Sequence, residues 1–201
     1  MQVQAPVDNC CAIILAGGLN SRMGGRNKAF LKVGGRRIVD RTLGVLQSIF
    51  NEILIVTRQP ALYEDLPARV IADIYPARSS LTGIHAGLKH AVAEYAFVVS
   101  CDAPFLKPEL VTMLLDELEP AVDVVVPSHD SHFEPLCAIY AKRCIPHIED
   151  QLERDEYQII RFFPRINLKK VPVAKLQKAD PQLRSFFNVN TPDAHRTSQD
   201  L

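Results

Sequence analysis

Short apolar runs alternate with helical patterns along the first two thirds of the chain. Each run holds consecutive apolar residues and ends at a turn or polar residue, as at Cys11–Leu15, Ile53–Thr57, Tyr95–Ser100 and Val122–Pro127. Continuous apolar character is typical of strands that are covered on both faces, as in a parallel sheet. Between these runs, apolar residues at helical spacing predict helices over Ile38–Phe50, Thr82–Ala93 and Pro108–Leu118. The alternation predicts an α/β fold: a Rossmann-like, open, mostly parallel sheet with helices on both faces.

The final third of the chain has shorter apolar pieces that prolines separate. It predicts strands at Leu136–Tyr140, Leu168–Val173 and Phe187–Val189, and helices at Cys144–Glu153 and Tyr157–Phe163. Because no repeat, low-complexity stretch or charge run sets this part off, we take it as an extension of the same domain. The sequence therefore predicts a single domain over residues 1–201, with frayed ends at 1–9 and 196–201.

Composition and charge exclude several classes of protein. Lys plus Arg number 23 and Asp plus Glu number 23, so the formal net charge is zero. A non-specific nucleic-acid binder needs a cationic surplus, so nucleic acid is not an expected partner. No apolar stretch approaches the ~20 residues of a membrane helix, and residues 1–9 lack the basic and apolar pattern of a secretory signal. The five cysteines include no C-x-x-C pair, which fits neither a zinc ribbon nor a disulfide framework and predicts a cytoplasmic protein.

The segment after the first predicted strand combines two glycine pairs with basic residues, in the order LAGGLNSRMGGRNK over residues 15–28. Glycines permit a tight turn and let backbone N–H groups approach a ligand without a Cβ in the way. Arg22 and Lys28 add positive charge, so the loop suits a triphosphate. It contains neither the Walker A motif nor G-x-G-x-x-G. A Gly-rich surface loop with solvated basic side chains is the alternative.

Asp102 comes directly after the predicted strand Tyr95–Ser100. Ligands of open α/β sheets lie at the carboxyl ends of the strands, so Asp102 and the Gly-rich loop are expected at the same edge. A carboxylate there suits Mg²⁺, which binds through one or two carboxylates together with substrate phosphates. The alternative is an Asp that caps the helix predicted to start near Lys107.

The Gly-rich segment resembles the signature L-A-G-G-x-x-x-R-M-G-G-x-x-K of the MobA-like nucleotidyltransferases. Further landmarks of that family follow in order: Asp73 after a short strand, LTG at residues 81–83, CDAP at residues 101–104 and NVNTP at residues 188–192. The likeness extends from Ala12 to about Ala194. The double glycine at residues 24–25 and the NVNTP segment are most similar to the branch that acts on the molybdenum cofactor.

This resemblance implies transfer of GMP from GTP to the molybdenum-pterin cofactor, which yields molybdopterin guanine dinucleotide and pyrophosphate, with Mg²⁺ as cofactor. It implies roles in catalysis, metal binding and nucleotide binding: Arg22, Lys28 and Asp102 are catalytic, Asp102 binds the metal, and Leu15, Ala16, Gly17, Gly18, Lys28, Asp73 and Asp102 bind the nucleotide. For the second substrate it implies Asn188, Asn190 and Pro135, the asparagines sharing one face of the predicted strand. Transient contact with proteins of cofactor synthesis or molybdoenzyme maturation is also expected.

The chain departs from the family pattern at two places. Residues 79–83 read SSLTG where members often have G-P-L-x-G, and apolar Ile55 stands where a base-contacting Asn is expected, with Thr57 as a substitute at an offset. The base therefore remains open between guanine and cytosine, and a cytidylyltransferase for the same cofactor or a sugar-phosphate nucleotidyltransferase are alternatives. A non-catalytic module that binds pterin or nucleotide is a further alternative, although the joint presence of Arg22, Lys28 and Asp102 argues against it.

No activated nucleophile stands out in the sequence. Cys101 has no evident base beside it, so covalent catalysis is not expected. His129 and His132 lie on a polar loop without a fixed helical face, so a metal pair is not expected there. Direct displacement fits best, because a phosphate nucleophile is already an anion and needs only positioning and charge stabilisation.

Overall fold

A mixed, mostly parallel sheet forms the centre of the protein. The computed structural model describes residues 8–18, 27–129 and 132–199. Its strands are β1 (Cys10–Leu15), β2 (Lys32–Val33), β3 (Arg36–Arg37), β4 (Ile53–Thr57), β5 (Arg69–Ala72), β6 (Tyr95–Ser100), β7 (Val124–His129), β8 (His132–Phe133), β9 (Cys137–Ala141) and β10 (Leu168–Pro172). The main sheet has the order β10-β7-β9-β6-β1-β4-β5 with β8 paired to β7, while β2 and β3 form a separate hairpin.

Helices cover both faces of this sheet, as the alternating pattern predicts. They are α1 (Ile38–Gln47), α2 (Ser80–His90), α3 (Pro108–Leu115), α4 (Ile145–Leu152), α5 (Val173–Ala179) and α6 (Pro192–Gln199). Alternate residues of β1 enter two separate hydrophobic clusters because successive strand side chains point to opposite faces. One cluster packs against α1, α3 and α5, and the other against α2 and α4. Among the described residues, no helix combines the length and apolarity needed to cross a membrane.

The predicted strands of the first two thirds are confirmed with small shifts at their ends. β4 and β6 have the predicted bounds, β1 begins one residue earlier, and β7 lies two residues further along the chain. The helices α1 and α3 end before the predicted positions, at Gln47 and Leu115. α2 begins earlier, at Ser80, because the Ser79 hydroxyl accepts a hydrogen bond from Thr82 N–H in a capping box.

The final third differs more from the prediction. β9 runs antiparallel to both β6 and β7, an orientation that the apolar pattern does not encode. The segment predicted as a helix near Tyr157 is a 3₁₀ helix over Ile159–Arg165. α6 continues to Gln199, so the helix includes residues 196–199 of the end that was expected to be frayed.

The strand predicted at Phe187–Val189 is wrong. The described residues there form no strand, and the chain instead crosses the carboxyl edge of the sheet. Val189 N–H donates to the backbone oxygen of Asp102 at 2.9 Å. Its side chain is fully buried with Val33 and Ile38. The apolar residue is therefore buried by a loop-to-hairpin contact and not by a sheet.

Close contact between α2 and β1 fixes the start of α2 relative to the sheet. A Cβ added at Gly87 would lie 2.5 Å from Ile13 Cδ1, and one at Gly83 would lie 3.0 Å from Leu15 Cδ2. The absence of a Cβ at these two positions lets the helix backbone approach the strand. The first turn of α2 consequently lies beside the carboxyl end of β1.

Candidate functional site

A cavity of about 350 Å³ opens at the carboxyl edge of the sheet. The chain at the ends of β1 and β6 contributes to its walls together with segments from both faces of the sheet. The lining residues are 15–18, 28, 78–80, 100–102, 136 and 190. Lys28 comes from the side of the sheet covered by α1, since the adjoining Ala29 is buried in that cluster. Residues 78–80 come from the opposite side, where α2 packs. The cavity therefore spans the edge between the two faces, which is where open α/β sheets bind ligands.

Three chain segments meet at the Lys28 ammonium. Its Nζ lies 3.3 Å from Asp102 Oδ2 and 2.6 Å from Asn190 Oδ1. The Ser100 hydroxyl donates to Asp102 Oδ1 at 2.6 Å. The side chains of Lys28 and Asp102 are 18% and 10% exposed, so the pair is largely removed from water but still open to the cavity. The expected proximity of the Gly-rich loop and Asp102 is confirmed.

The structure excludes one of the two interpretations of Asp102. The residue that precedes α3 is Lys107, and no side chain caps that helix end. The described contacts of the Asp102 carboxylate are those with Ser100 and Lys28. The helix-cap interpretation is therefore wrong, and the carboxylate belongs to the cavity.

Gly17 and Gly18 leave one wall of the cavity open. Among the described residues, no atom would lie within 4 Å of a Cβ added at either glycine, and neither glycine has a left-handed φ. The tight turn that these glycines permit extends beyond the described residues and stays a prediction; among the described glycines, those with positive φ are Gly34 and Gly35, between β2 and β3. Within the described residues, the N–H groups of Gly17 and Gly18 form no hydrogen bond. Open space and unused donors suit the close approach of an anionic ligand.

Arg22 lies outside the described residues. Its expected role in catalysis stays a prediction from the sequence. Lys28, Asp102 and residues 15–18 are the predicted catalytic or nucleotide-binding residues that the structure brings to the cavity.

Asp73 lies behind the cavity wall and not in its lining. Its carboxylate accepts hydrogen bonds from Thr82 Oγ1 at 2.8 Å and from Tyr75 N–H at 3.2 Å. Arg58 Nη2 is 3.7 Å from the same carboxylate. These contacts hold the loop between β5 and α2, so Asp73 supports the wall that residues 78–80 form.

The residues expected to bind a second substrate divide into two groups. Asn190 lines the cavity, and Leu136 does so in place of the expected Pro135. The Pro135 backbone oxygen instead accepts a hydrogen bond from Tyr140 at 2.6 Å. Asn188 is not in the lining, because the strand that was to align it with Asn190 does not form.

The two positions considered for a base contact are both unavailable. Ile55 is fully buried within β4. Thr57 is 1% exposed, and its hydroxyl donates to the backbone oxygen of Ala16 at 3.3 Å. Neither side chain is in the cavity lining, so a base bound in the cavity must be recognised by other groups.

Sequence reasoning missed several cavity residues, above all Arg78 and Ser100. Within the described part of the chain, the Arg78 guanidinium has no hydrogen-bond or ion-pair partner, although it lines the cavity. The signal that was available is a basic residue directly before the serine that caps α2. Because the positive end of a helix attracts anions, a basic residue directly before a helix indicates a candidate ligand-binding position.

Cys101 lines the cavity but is not an activated nucleophile. Removal of the sulfur from water, reinforced by the negative charge of Asp102, raises the pKa of the Cys101 thiol to about 12. The thiol is therefore protonated at neutral pH, and the thiolate is the form that attacks. Covalent catalysis through Cys101 does not fit this site.

The carboxylate chemistry of the cavity fits Mg²⁺. In the described residues, no three His, Cys, Asp or Glu side chains cluster as a metal cage. Mg²⁺ is usually held by one or two carboxylates, substrate phosphates and water. Asp102, whose carboxylate is open to the cavity, offers one such ligand.

An open glycine backbone, a lysine and a carboxylate meet at the carboxyl edge of this α/β sheet, an arrangement that suits the phosphates of a nucleotide. The sequence matches the MobA-like NTP transferase domain over residues 12–170, and the chain belongs to that family. A molybdenum cofactor guanylyltransferase from Desulfosudis oleivorans is 39% identical over 185 residues, which cover 92% of each chain.

Solved structures agree with this assignment. The molybdopterin-guanine dinucleotide biosynthesis protein A from Archaeoglobus fulgidus is 32% identical, with a TM-score of 0.82 and coverage of 94% of this chain and 96% of its own. The 4-diphosphocytidyl-2C-methyl-D-erythritol synthase from Anaerococcus prevotii shares the fold at 19% identity, with a TM-score of 0.68 and coverage of 95% and 94%. These neighbours have the nucleotide-diphospho-sugar transferase-like fold, and the predicted Rossmann-like, mostly parallel sheet with helices on both faces is confirmed.

Proposed function

We propose that this protein transfers GMP from GTP to the terminal phosphate of the molybdenum-pterin cofactor, giving molybdopterin guanine dinucleotide and pyrophosphate. The observation that carries the proposal is the Lys28–Asp102 pair beside the open backbone of Gly17 and Gly18. Support comes from the guanylyltransferase that is 39% identical over nearly the whole chain.

In this proposal the chain's own residues act by positioning and by charge. The pterin phosphate attacks the α-phosphorus of GTP, and the bond to the leaving pyrophosphate breaks. The nucleophile is already an anion, so no general base is needed. Lys28 places a positive charge where phosphate oxygens gain negative charge, and the N–H groups of Gly17 and Gly18 donate to the same oxygens.

We propose Asp102 as the protein ligand of Mg²⁺. When bound, the metal would neutralise negative charge on the substrate phosphates, which is worth several kcal/mol in comparable sites. Ser100 donates to Asp102 and fixes the orientation of its carboxylate. Lys28 compensates the charge of the same carboxylate.

The second substrate is proposed to bind beside Leu136 and Asn190, the cavity-lining residues that come latest in the sequence. The five free thiols support a place in the reducing cytoplasm. Short-lived contacts with proteins that make the cofactor or receive it would follow, because the product is needed by other proteins.

Pyrophosphate release tests the proposal directly. Purified protein is incubated with Mg²⁺, the molybdenum-pterin cofactor and, in turn, GTP, CTP or UTP. We expect release with GTP that requires the pterin. Release with CTP in place of GTP would replace the proposal with the cytidylyltransferase alternative. Nucleotide binding without release of pyrophosphate would favour the alternative of a non-catalytic binding module.

A further inference from the structure

The base of the nucleotide needs a recognition group that the predicted positions do not supply. Ile55 is buried in the sheet and the Thr57 hydroxyl is bonded to Ala16. The group must therefore belong to another part of the cavity. The inference below rests on the proposed function and adds the residue that selects the base.

The polar groups of the cavity lie at two ends. Lys28, Asp102 and Asn190 meet beyond β6. Residues 78–80 stand at the start of α2, which packs over β1 and β4, as the position of Gly83 near Leu15 and Val56 shows. β6 and β4 flank β1 on opposite sides, and strands separated by one neighbour are roughly 10 Å apart. A nucleotide with its phosphates at Lys28 can extend past Gly17 and Gly18, and its base then reaches the α2 end.

Arg78 is the charged side chain at that end of the cavity. Its guanidinium has no partner in the described part of the chain, so its donors are available to a ligand. The backbone that carries it is held from behind. Arg58 Nη2 lies 2.6, 2.9 and 2.6 Å from the carbonyl oxygens of Tyr75, Pro76 and Ala77. Ser79 caps α2 on the other side of Arg78.

We propose that Arg78 selects guanine by donating two hydrogen bonds to O6 and N7 of the base. The planar fork of a guanidinium matches two neighbouring acceptors, and guanine presents such a pair on one edge. Adenine offers a donor beside N7 and therefore opposes one of the two bonds. The neighbouring acceptors of cytosine include O2, which lies beside the sugar and is less accessible.

The test uses 7-deaza-GTP, a GTP analogue that lacks the N7 acceptor. Binding of GTP, 7-deaza-GTP, ITP and ATP is measured by calorimetry with wild-type protein and with Arg78→Ala. A bidentate pair of this kind provides discrimination of about tenfold or more. Wild type should bind GTP and ITP alike, because ITP keeps O6 and N7, and should bind 7-deaza-GTP about tenfold more weakly. In Arg78→Ala the affinities for GTP, ITP and 7-deaza-GTP should become nearly equal.

A matched control removes a different exposed arginine, Arg36, which lies in the β2–β3 hairpin outside the cavity lining. Arg36→Ala should keep the wild-type preference for GTP over 7-deaza-GTP, and melting temperatures establish that both variants fold. Equal weakening of all four nucleotides in Arg78→Ala would overturn the proposal and make Arg78 a phosphate contact. If wild-type protein binds GTP and 7-deaza-GTP equally tightly, the proposal for Arg78 fails and the proposed function stands. If it binds no GTP, the proposed function fails as well.

Discussion

Two contacts of Asp102 differ in how much they depend on its charge. The Ser100 hydroxyl can donate to a carboxylate or to an amide oxygen, whereas Lys28 favours the full negative charge, as would the Mg²⁺ ion that we propose. We expect Asp102→Asn to lower the rate of pyrophosphate release by about 10²–10³. The melting temperature should change little, because a single ion pair at the edge of a cavity contributes about 1 kcal/mol or less.

The control for this variant is Asp65→Asn, which removes an exposed carboxylate outside the cavity. It should leave the rate and the melting temperature unchanged. Near-normal pyrophosphate release by Asp102→Asn would remove Asp102 from the active site.

The sequence predicts some cavity residues and not others for a physical reason. Lys28 belongs to the Gly-rich segment that follows β1, and Asp102 comes directly after β6. The carboxyl ends of neighbouring parallel strands meet at the same edge of a sheet. Arg78 reaches the cavity only because Arg58 and Asp73 hold the preceding loop. Contacts of this kind depend on how the loop folds, and no characteristic spacing of residues in the sequence predicts them.

At the scale of single elements, the docking of α2 depends on Gly87. A Cβ there would lie 2.5 Å from Cδ1 and 2.9 Å from Cγ2 of the fully buried Ile13. Alanine favours a helix by about 1 kcal/mol, but overpacking of a closed core costs about 1–3 kcal/mol. Because Cγ2 belongs to a stiff β-branched side chain, we expect Gly87→Ala to lower the free energy of unfolding, measured in urea.

Gly44→Ala is the matched control. Gly44 is exposed in α1, and its added Cβ would meet nothing nearer than 3.9 Å, at the end of the Arg36 side chain. The gain in helix propensity should therefore appear undiminished, as a rise of up to about 1 kcal/mol. Two stabilising substitutions would show that α2 can move away from β1.

Asp180, in the segment before α6, makes the stability of the protein depend on pH. It is fully buried, 2.9 Å from Lys107 Nζ and 2.7 Å from Ser185 N–H. Burial alone would raise the pKa of Asp180, but the Ser185 N–H and the Lys107 ammonium together hold it below its usual value. A lowered folded-state pKa stabilises the protein above the unfolded value, near 4, and this contribution disappears as the pH falls through the folded-state pKa.

We therefore expect the difference in unfolding free energy between wild type and Asp180→Asn to be largest above pH 5. That difference, about 1–3 kcal/mol for hydrogen bonds to a charged group, should shrink below about pH 4. Denaturant titrations at several pH values measure it. Glu64→Gln, at an exposed position, serves as control. A difference independent of pH would mean that the Asp180 charge does not contribute.

Element by element, burial explains which predictions are confirmed. β1, β4 and β6 are covered on both faces, so their sequences are continuously apolar and easy to recognise. The direction of β9 depends on its neighbours and not on its own residues. At residues 187–189 the apolar side chains are buried by other means, and the same pattern arises without a strand.

Across the whole molecule, Val189 ties the end of the chain to the cavity. It is fully buried with Val33 and Ile38, and its N–H donates to the Asp102 backbone. We expect Val189→Ala to lower the free energy of unfolding by about 1–2 kcal/mol. Turnover should fall severalfold, since the neighbouring Asn190 would contact Lys28 less firmly.

Val92→Ala is the corresponding control, because Val92 is 81% exposed. It should change the free energy of unfolding by less than about 0.5 kcal/mol and leave turnover unaltered. Loss of stability without loss of turnover in Val189→Ala would show that the segment around Val189 does not contribute to catalysis.

The contact between Lys28 and Asn190 joins residues that are 162 positions apart. Ribosomes add about 5–20 residues per second, so on the order of ten seconds separate the synthesis of the two sides of this contact. The Gly-rich loop, β4 and β6 emerge well before Asn190 does. A growing chain can therefore assemble much of its sheet while its nucleotide cavity still lacks one wall, and the site is completed only after Asn190 has been synthesised.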